Sequence, residues 1–495
     1  MLGSVTQVET KKSFNRRSFL GGVAVAAGGA LLAACGQQPA AAPTAKPAAP
    51  AAAPTTAPAA PAAPKPTEAA AAAKPTEAPA AKPAAPSGPA KLVVWKFGGA
   101  TSEVPYVRKV TEDWGKANNV TIEYSDNEWS VKREKMIAAY QAKRIADVLI
   151  PDGQSIADLA TLGAISALDD LDKRMTDSWK PNFIPEIWNT TVYKGKYYAL
   201  SPYVDSGTFY TYNKELFKAA GVSKVPTNWE EVREVAKACT KGDVAGITIS
   251  VATDTNDANT FEGIAYGNGG RWLDEAGKKV LIADQVWIDA LQLYVDLVKD
   301  GSTPKGPTET NFAASGNIFL QSKAAVWVSL SYVGAFTQSQ NKTDFPLGMV
   351  LFPKMAKPSG TFPPAAQIMT PTTAFMIASL SQQKEAALKL LDWWAQPAQQ
   401  KAWDGSVVMG RVPALKATWE SSETFKKVYP DWAQMYKDGV MFKDAQPMPA
   451  FPGLGEAEKA LSSAMQSAVL GKQTAKEALT AAATRAQRVV NEFQF

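Results

Sequence analysis

The chain has 495 residues, with 52 Lys and Arg against 47 Asp and Glu, two cysteines and no histidine. The lack of histidine excludes a Ser-His-Asp or Cys-His catalytic site, a histidine zinc site and a histidine general base. The positive excess lies in residues 1–90, which hold eight Lys and Arg and three Asp and Glu, so the rest of the chain predicts no basic face for nucleic acid.

The first 35 residues have the order of an export leader. Four basic residues between 11 and 17 precede an apolar stretch from Phe19 to Leu32 that is too short to span a membrane as a helix. Leu-Ala-Ala-Cys follows at 32–35 and resembles a bacterial lipoprotein cleavage site, which predicts lipidation at Cys35. Arg16-Arg17 resembles a twin-arginine export motif. Asn15 departs from that motif, so general secretory export stays open.

Residues 36–90 are predicted to be a solvated linker. This segment consists almost entirely of Ala, Pro, Thr, Lys and Glu, and Lys-Pro-Thr-Glu-Ala occurs at 65–69 and again at 74–78. Closely spaced prolines oppose a long helix and offer nothing large to bury, and such a segment extends by up to ~3.1 Å per residue.

Cys239 is the only cysteine after the linker, so no disulfide is expected in the domain that follows. It is predicted to be a small core residue.

From residue 91 the pattern alternates between strands and helices. Strands are predicted at 92–95, 120–124 and 146–150. A helix with Val107, Val110 and Trp114 on one face is predicted after the first strand, and a second helix over 134–144. Repeated β-α-β units predict a mainly parallel sheet covered on both faces, so the fold class is α/β. Ligands of such sheets bind beyond the carboxyl ends of the strands. The length of this region predicts at least two lobes.

Several segments beyond residue 190 resemble one protein family. They occur in the same order as in the family 1 extracellular solute-binding proteins, the maltose-binding-protein-like lipoproteins of ABC sugar importers, and the resemblance covers nearly all of residues 91–495. The segments are Tyr-Lys-Gly-Lys-Tyr-Tyr-Ala-Leu-Ser-Pro at 193–202, Tyr-Thr-Tyr-Asn-Lys-Glu-Leu-Phe at 210–217, Pro-Thr-Asn-Trp-Glu-Glu at 226–231, Gly-Asn-Gly-Gly at 267–270 and Gly-Met-Val-Leu-Phe-Pro at 348–353.

The resemblance implies a two-lobed periplasmic-binding-protein-like fold with the ligand in a cleft between the lobes. The first lobe would comprise residues 91–203 plus 366–418, and the second 204–365 plus 419–495. Crossover segments would act as hinges, and ligand would favour the closed form by contacting both lobes. The resemblance further implies a monomer that performs no catalysis, needs no cofactor or metal, and delivers a sugar to ABC permease subunits outside the cytoplasm, tethered to the membrane by lipid.

Candidate ligand-binding residues are aromatic side chains that can stack on a sugar ring and polar groups that can bind its hydroxyls. A core position is the alternative for each aromatic residue, and a solvated loop position is the alternative for each polar one. The aromatic candidates are Trp95, Trp129, Trp272 and Tyr332, and the polar candidates are Asp152, Gln154, Asp205, Asn259 and Arg411.

Two other classes of function stay open. A binding protein for a non-sugar solute would use Arg271 and Arg411 for a glycerol phosphoester, or clustered tyrosines (197, 198, 210 and 212) for iron, and a polyamine is a third such ligand. An anchored glycosidase would need a carboxylate pair. The pairs at 169–170 and 230–231 suit that chemistry, but their positions also suit helix capping.

Overall fold

A computed structural model describes the chain from the first predicted strand onward. The described residues are 90–99, 103–252, 255–331, 333–342, 344–365, 367–371, 373–406, 411–423 and 430–492. The predicted leader with Cys35, residues 36–89 of the predicted linker and Tyr332 lie outside them, whereas Ala90, the last residue of the predicted linker, begins the first strand. Among the described residues, no helix combines the length and apolar character that a membrane span requires.

Thirteen strands occur in the described residues and form two main sheets and a hairpin. They are β1 (Ala90–Phe97), β2 (Val120–Asn127), β3 (Val148–Ile150), β4 (Val192–Tyr193), β5 (Lys196–Tyr197), β6 (Tyr203–Asn213), β7 (Ala245–Thr248), β8 (Ala324–Leu330), β9 (Leu347–Leu351), β10 (Ile368–Thr370), β11 (Met376–Ile377), β12 (Val412–Pro413) and β13 (Gln446–Pro447).

Helices cover both sheets. They are α1 (Glu103–Ala117), α2 (Lys132–Gln141), α3 (Ser155–Thr161), α4 (Leu168–Trp179), α5 (Pro185–Asn189), α6 (Lys214–Ala219), α7 (Trp229–Cys239), α8 (Thr255–Tyr266), α9 (Gln285–Lys299), α10 (Phe312–Leu320), α11 (Val333–Ser339), α12 (Lys384–Ala395), α13 (Pro397–Ser406), α14 (Lys416–Ser421), α15 (Pro430–Lys437), α16 (Leu454–Val469) and α17 (Ala475–Glu492).

The first sheet has the order β11-β3-β1-β2 and is the core of the first lobe. β1 pairs in parallel with both β2 and β3, and only β11 is antiparallel. The predicted β-α-β alternation and the predicted parallel pairing are therefore confirmed. All three residues of β3 are buried, as expected for a strand covered on both faces. The carboxyl ends of β1, β2 and β3 meet at one edge, followed by Gly98, Trp129 and Asp152.

The second sheet has the order β13-β10-β6-β8-β7 and belongs to the second lobe. Its centre is β6, an eleven-residue strand that is buried at every position but one. β10 returns antiparallel beside it, with Ile368 opposite Gly207 and Thr370 opposite Asp205. The chain then continues into β11 of the first sheet. The segments near residues 205 and 370, through which the chain passes between the two sheets, therefore lie side by side.

Three cores stabilise the fold. One surrounds α8, α9, α16 and α17 of the second lobe, and it contains Cys239 at 5% exposure. A second extends from the first sheet along β6 and β12, and a third lies between β3 and α3. The prediction that Cys239 is a small core residue is confirmed.

Candidate functional site

A cavity of about 450 Å³ lies between the two lobes. The first lobe lines it from α2, α3 and the loop ends of β2 and β3, and the second lobe lines it from α16 and Asn311. A much smaller cavity of about 20 Å³ adjoins it and shares Trp129, Asp152 and Gln154. A volume of several hundred Å³ suits a small organic ligand, and the smaller volume suits about one water molecule.

Trp129 forms an aromatic wall shared by both cavities. Its ring packs against Gly98, which follows β1 with a φ of +56°. A Cβ at position 98 would approach the ring to 2.7 Å. This position therefore requires glycine for two reasons, the positive φ of its backbone and the lack of space for a side chain. On the polar side, the Lys132 Nζ lies 3.7 Å from the centroid of the indole. These contacts fix the orientation of the ring, as a stacking platform requires.

Asp152 follows β3 and is almost completely buried, at 1% exposure. Its Oδ1 accepts hydrogen bonds from the Ser155 backbone N–H at 3.0 Å and the Ser155 hydroxyl at 2.7 Å. Its Oδ2 forms an ion pair with the Lys132 Nζ at 2.9 Å. The carboxylate is therefore held rigidly at the edge of the cavity, with its charge compensated.

The second lobe meets the first across the cavity through direct hydrogen bonds. The Gln154 side-chain N–H donates to the Glu458 Oε1 at 2.9 Å. Close by, the Gly453 backbone N–H donates to the Asp158 Oδ1 at 2.9 Å, while the Asp158 Oδ2 pairs with the Arg133 Nε at 2.6 Å. Both carboxylates line the cavity. The arrangement is that of a closed cleft, with both lobes contributing polar groups to one space.

Asp205 and Asn259 line the smaller cavity together with Ser206 and Asn256. Asp205 lies on β6, at the passage between the sheets, and Asn259 lies on α8. Asn259 is 6% exposed, and its side-chain oxygen has no hydrogen-bond partner in the described part of the chain. A buried amide oxygen of this kind is an acceptor available to a ligand hydroxyl or a bridging water.

Arg411 does not line either cavity but lies behind Asp205 in a buried charge network. The Arg411 Nη2 lies 3.0 Å from the Glu103 Oε2, and the Arg411 Nε lies 3.6 Å from the Asp205 Oδ1. Lys96 and Glu103 are fully buried and lie 3.1 Å apart, and the Thr373 hydroxyl donates to Glu103 at 2.8 Å.

The electrostatics of this network centre on Glu103. Burial raises the pKa of Glu103, but Arg411 and Lys96 outweigh burial and hold the pKa at about 2. Burial lowers the pKa of Lys96. Arg411 therefore supports Asp205 from behind, where the sequence suggested direct contact with ligand hydroxyls.

The other predicted aromatic residues lie elsewhere. Trp95 is half-buried on β1 with the Lys135 Nζ 4.7 Å from its ring centroid, and it lines neither cavity. Trp272 is 1% exposed in the core of the second lobe, with its ring 5.9 Å from those of Trp287 and Phe451. Tyr332 lies outside the described residues. The structure thus brings together Trp129, Asp152, Gln154, Asp205 and Asn259.

The sequence did not single out Glu458, Lys132 or Asp158. Glu458 lies within an Ala-rich helix pattern over 454–469, where a single Glu is usually solvent-exposed. Lys132 and Asp158 lie on helices that begin just after Trp129 and Gln154. Lys132 lies three residues after Trp129 and Asp158 lies four residues after Gln154, and this spacing of about one helical turn was the available signal.

Two α/β lobes that close on a cleft beyond the strand ends define a protein that captures its ligand between the lobes. The chain belongs to the bacterial extracellular solute-binding protein family, whose model matches residues 99–401. A relative from Brucella abortus, whose name records a binding protein of unstated ligand, is 26% identical over 414 residues, covering 82% of this chain and 94% of the relative.

Solved structures share the fold. A solute-binding protein of an ABC transporter from Thermotoga lettingae, bound with α-D-tagatose, has a TM-score of 0.70 and 20% identity, covering 81% of this chain and 100% of that one. The maltose-bound MalE3 of T. maritima has a TM-score of 0.67 and 23% identity, covering 81% of this chain and 99% of that one. The predicted two-lobed fold is therefore confirmed.

Proposed function

We propose that this protein captures a neutral saccharide between its lobes and delivers it to the permease of an ABC importer, without catalysing a reaction. The observation that carries the proposal is the shared cavity, in which Trp129 provides a ring and both lobes provide hydrogen-bonding side chains. A pyranose has apolar C–H faces and a rim of hydroxyls, so it needs this combination of flat ring and polar groups. The volume of about 450 Å³ suits a short saccharide.

The charges around the cavity favour a neutral ligand over a phosphoester. Each lysine or arginine lining the larger cavity already has a carboxylate partner: Lys132 pairs with Asp152, Arg133 with Asp158, and Lys459 with Glu456. Of the two arginines considered for phosphate, Arg411 belongs to the buried network. The Arg271 guanidinium donates to two backbone carbonyls. A phosphate would have to compete with these partners for its cations.

The same cation pairs argue against a polyamine, because they compensate three of the carboxylates that line the larger cavity, Asp152, Asp158 and Glu456. Of the tyrosines considered for iron, Tyr197 and Tyr210 lie in different cores. Tyr197 stacks on Trp188 at 3.8 Å in one core, and Tyr210 is fully buried in another. A shared tyrosine site is therefore not formed by these two residues.

The carboxylate pairs considered for glycoside hydrolysis have structural partners away from the cavity. Asp169 accepts from the Thr176 hydroxyl at 2.8 Å and the Tyr197 backbone N–H at 2.9 Å. Glu231 accepts from the Thr227 backbone N–H at 2.7 Å at the start of α7. The Glu231 contact fits the capping role that the sequence also allowed, whereas Asp169 joins α4 to β5.

We further propose that Cys35 is lipidated and that residues 36–90 tether the two lobes to the outer face of a cell membrane. This rests on the order of basic segment, apolar segment and Leu-Ala-Ala-Cys in the sequence. Metabolic labelling with a fatty acid tests it. Label should enter the wild-type protein and be absent from Cys35→Ser, and label retained in that variant would contradict lipidation at Cys35.

A thermal-shift screen of the purified protein tests the proposed ligand class. Maltose, other short saccharides, glycerol 3-phosphate, spermidine and ferric citrate are compared at equal excess. A ligand present at 100 times its Kd stabilises the folded state by about 2.7 kcal/mol, which raises the melting temperature measurably. We expect the shift from a saccharide. A shift confined to glycerol 3-phosphate, spermidine or ferric citrate would contradict the proposal, and release of monosaccharide during incubation would favour the glycosidase.

A further inference from the structure

Two buried glutamates of the second lobe lie at the cavity: Glu458 lines it, and Glu262 does not. Glu262 on α8 is 0% exposed, and neither of its carboxyl oxygens has a hydrogen-bond partner in the described part of the chain. Glu458 on α16 is 6% exposed, and its Oε1 accepts the cross-lobe hydrogen bond from the neutral amide of Gln154. The helices α8 and α16 pack against each other.

The charged groups that act on Glu458 do not neutralise it. They are Glu262 on α8, Lys132 on α2 and Asp152 after β3. Lys132 is already paired with Asp152 at 2.9 Å, so these two residues together add no net positive charge. The group that acts on Glu262 is the indole N–H of Trp272, which is neutral and forms no hydrogen bond within the described residues. The helices α9 and α17 also pack on α16, within the apolar core of the second lobe.

Two neighbouring carboxylates in such a place cannot both be ionised at neutral pH. Burying a charge without a partner is costly, and a like charge close by adds to that cost, so the pair must hold a proton. Burial raises the pKa of Glu262 to about 7. Burial and the neighbouring Glu262 raise the pKa of Glu458 well above its ordinary value. The burial of both carboxyl groups and their raised pKa values therefore both indicate that a proton is held beside the cleft.

We propose that Glu458 is a specificity-determining residue of the cleft that acts as a neutral carboxylic acid, with Glu262 as the buried second member of the pair. The Oε1 accepts the hydrogen bond from Gln154, and the protonated Oε2 donates its hydrogen to an uncharged acceptor oxygen of the ligand. This inference rests on the proposed function. It narrows the ligand to one that presents a hydroxyl, ring or glycosidic oxygen to the second lobe.

The proton makes ligand affinity depend on pH. When the lobes separate, Glu458 faces water and its pKa returns toward the ordinary value of 4.5, whereas closure raises it. The closed, liganded form therefore binds more protons than the open form. The affinity for ligand is therefore highest at low pH. It falls as the pH rises from about 4.5 toward the raised pKa of Glu458, by up to about tenfold per pH unit for one proton.

Calorimetric titration of maltose into the full-length protein between about pH 5 and about pH 8 tests this linkage. We expect the Kd to rise with pH for the wild-type protein. Glu458→Gln keeps an acceptor and a donor without a titratable group, so its Kd should be nearly independent of pH. Glu385→Gln is the matched control, because Glu385 is 86% exposed on α12, and it should retain the wild-type slope. An unchanged slope in Glu458→Gln would overturn the proposal.

Infrared spectroscopy of the protein without ligand gives a readout that does not depend on sugar binding. At about pH 6 we expect the C=O stretch of a protonated carboxylic acid, and Glu262→Gln should remove intensity from it. If no saccharide binds but this band is present and assigned to Glu262, the proposed function fails and the protonated pair stands. If saccharides bind and the band is absent at pH 6, the proposed function stands and the protonated pair is wrong.

Discussion

The side chain of Gln154 donates a hydrogen bond to Glu458 across the cleft, joining residues 304 positions apart in the chain. Gln154 follows the third strand of the first lobe, and Glu458 lies on a helix of the second. This contact therefore exists only when the lobes are closed, which makes it a direct reporter of closure.

Gln154→Ala should shift the protein toward the open form. A hydrogen bond of this kind contributes about 0.5–1.5 kcal/mol net, which corresponds to a change of about two- to tenfold in the ratio of closed to open forms. Distances between spin labels on Lys389→Cys in the first lobe and Lys472→Cys in the second, in a Cys35→Ser background, measure that ratio. Gln382→Ala, an exposed glutamine after β11, is the control. An unchanged distance distribution in Gln154→Ala would contradict a role in closure.

Trp129→Ala should weaken saccharide binding, and Trp95→Ala should not. Both residues are half-buried tryptophans of the first lobe with a lysine over the ring, but only Trp129 lines the cavities. Loss of a stacked ring costs about 1 kcal/mol or more, so we expect at least about a fivefold rise in Kd by calorimetry. A larger effect from Trp95→Ala would place the stacking platform at the end of β1 instead.

Gly98→Ala should weaken binding by moving Trp129. The new methyl group would approach the indole to 2.7 Å and force the ring out of position. Gly277→Ala is the matched control, because Gly277 also has a positive φ, +67°, but no atom within 4 Å of a Cβ there. Both variants should lose about 1 kcal/mol of stability from backbone strain. Only Gly98→Ala should change the Kd, and equal Kd values for the two variants would contradict this account of Trp129.

Arg411→Met should destabilise the fold strongly. It removes one of the two cations beside Glu103 and the guanidinium beside Asp205, which weakens the charge compensation of two buried carboxylates and costs about 3–5 kcal/mol. Lys389→Met removes an exposed ion pair with Glu385 and should cost no more than about 1 kcal/mol. Urea denaturation measures both changes. A small effect in Arg411→Met would show that the network contributes little to stability.

The same network predicts how stability depends on acid. The pKa of Glu103 is about 2 in the folded protein, below the ordinary value of 4.5. Its stabilisation is therefore complete above about pH 4.5 and is lost as pH falls toward 2. Glu103→Gln should lower stability at neutral pH and flatten this acid dependence in denaturation curves recorded at several pH values. If the stability of Glu103→Gln fell with decreasing pH as steeply as that of the wild-type protein, the low pKa assigned to Glu103 would be contradicted.

Much of the first lobe follows from the sequence, because short apolar runs that alternate with amphipathic helices specify parallel strands and their order of connection. The strand-end rule then located Trp129, Asp152 and Gln154 in one cavity. The rule also selected Trp95, which lies two residues before the last residue of β1 and lines neither cavity. Side chains alternate between the two faces of a strand, so the face on which a residue such as Trp95 lies can be predicted only when the last residue of the strand is known.

The second lobe's contribution was harder to predict. Glu458 reaches the cavity because α16 packs against α8 and lines the cavity, a tertiary arrangement that leaves no local pattern. Trp272 follows Gly-Gly-Arg and resembles an exposed loop residue in sequence, yet it packs against Trp287 in the core. Arg411 was selected for its charge. That charge compensates the carboxylate of Glu103, which lies 308 positions earlier in the chain, at the start of α1.

The distance between labels on Lys389→Cys and Lys472→Cys, measured with and without saturating maltose or another saccharide that stabilises the protein, tests the central claim most directly. We expect the saccharide to convert a broad distribution into a single narrow one, and Trp129→Ala to need a higher concentration for the same change. A saccharide that binds by calorimetry yet leaves the distribution unchanged would contradict capture between closing lobes.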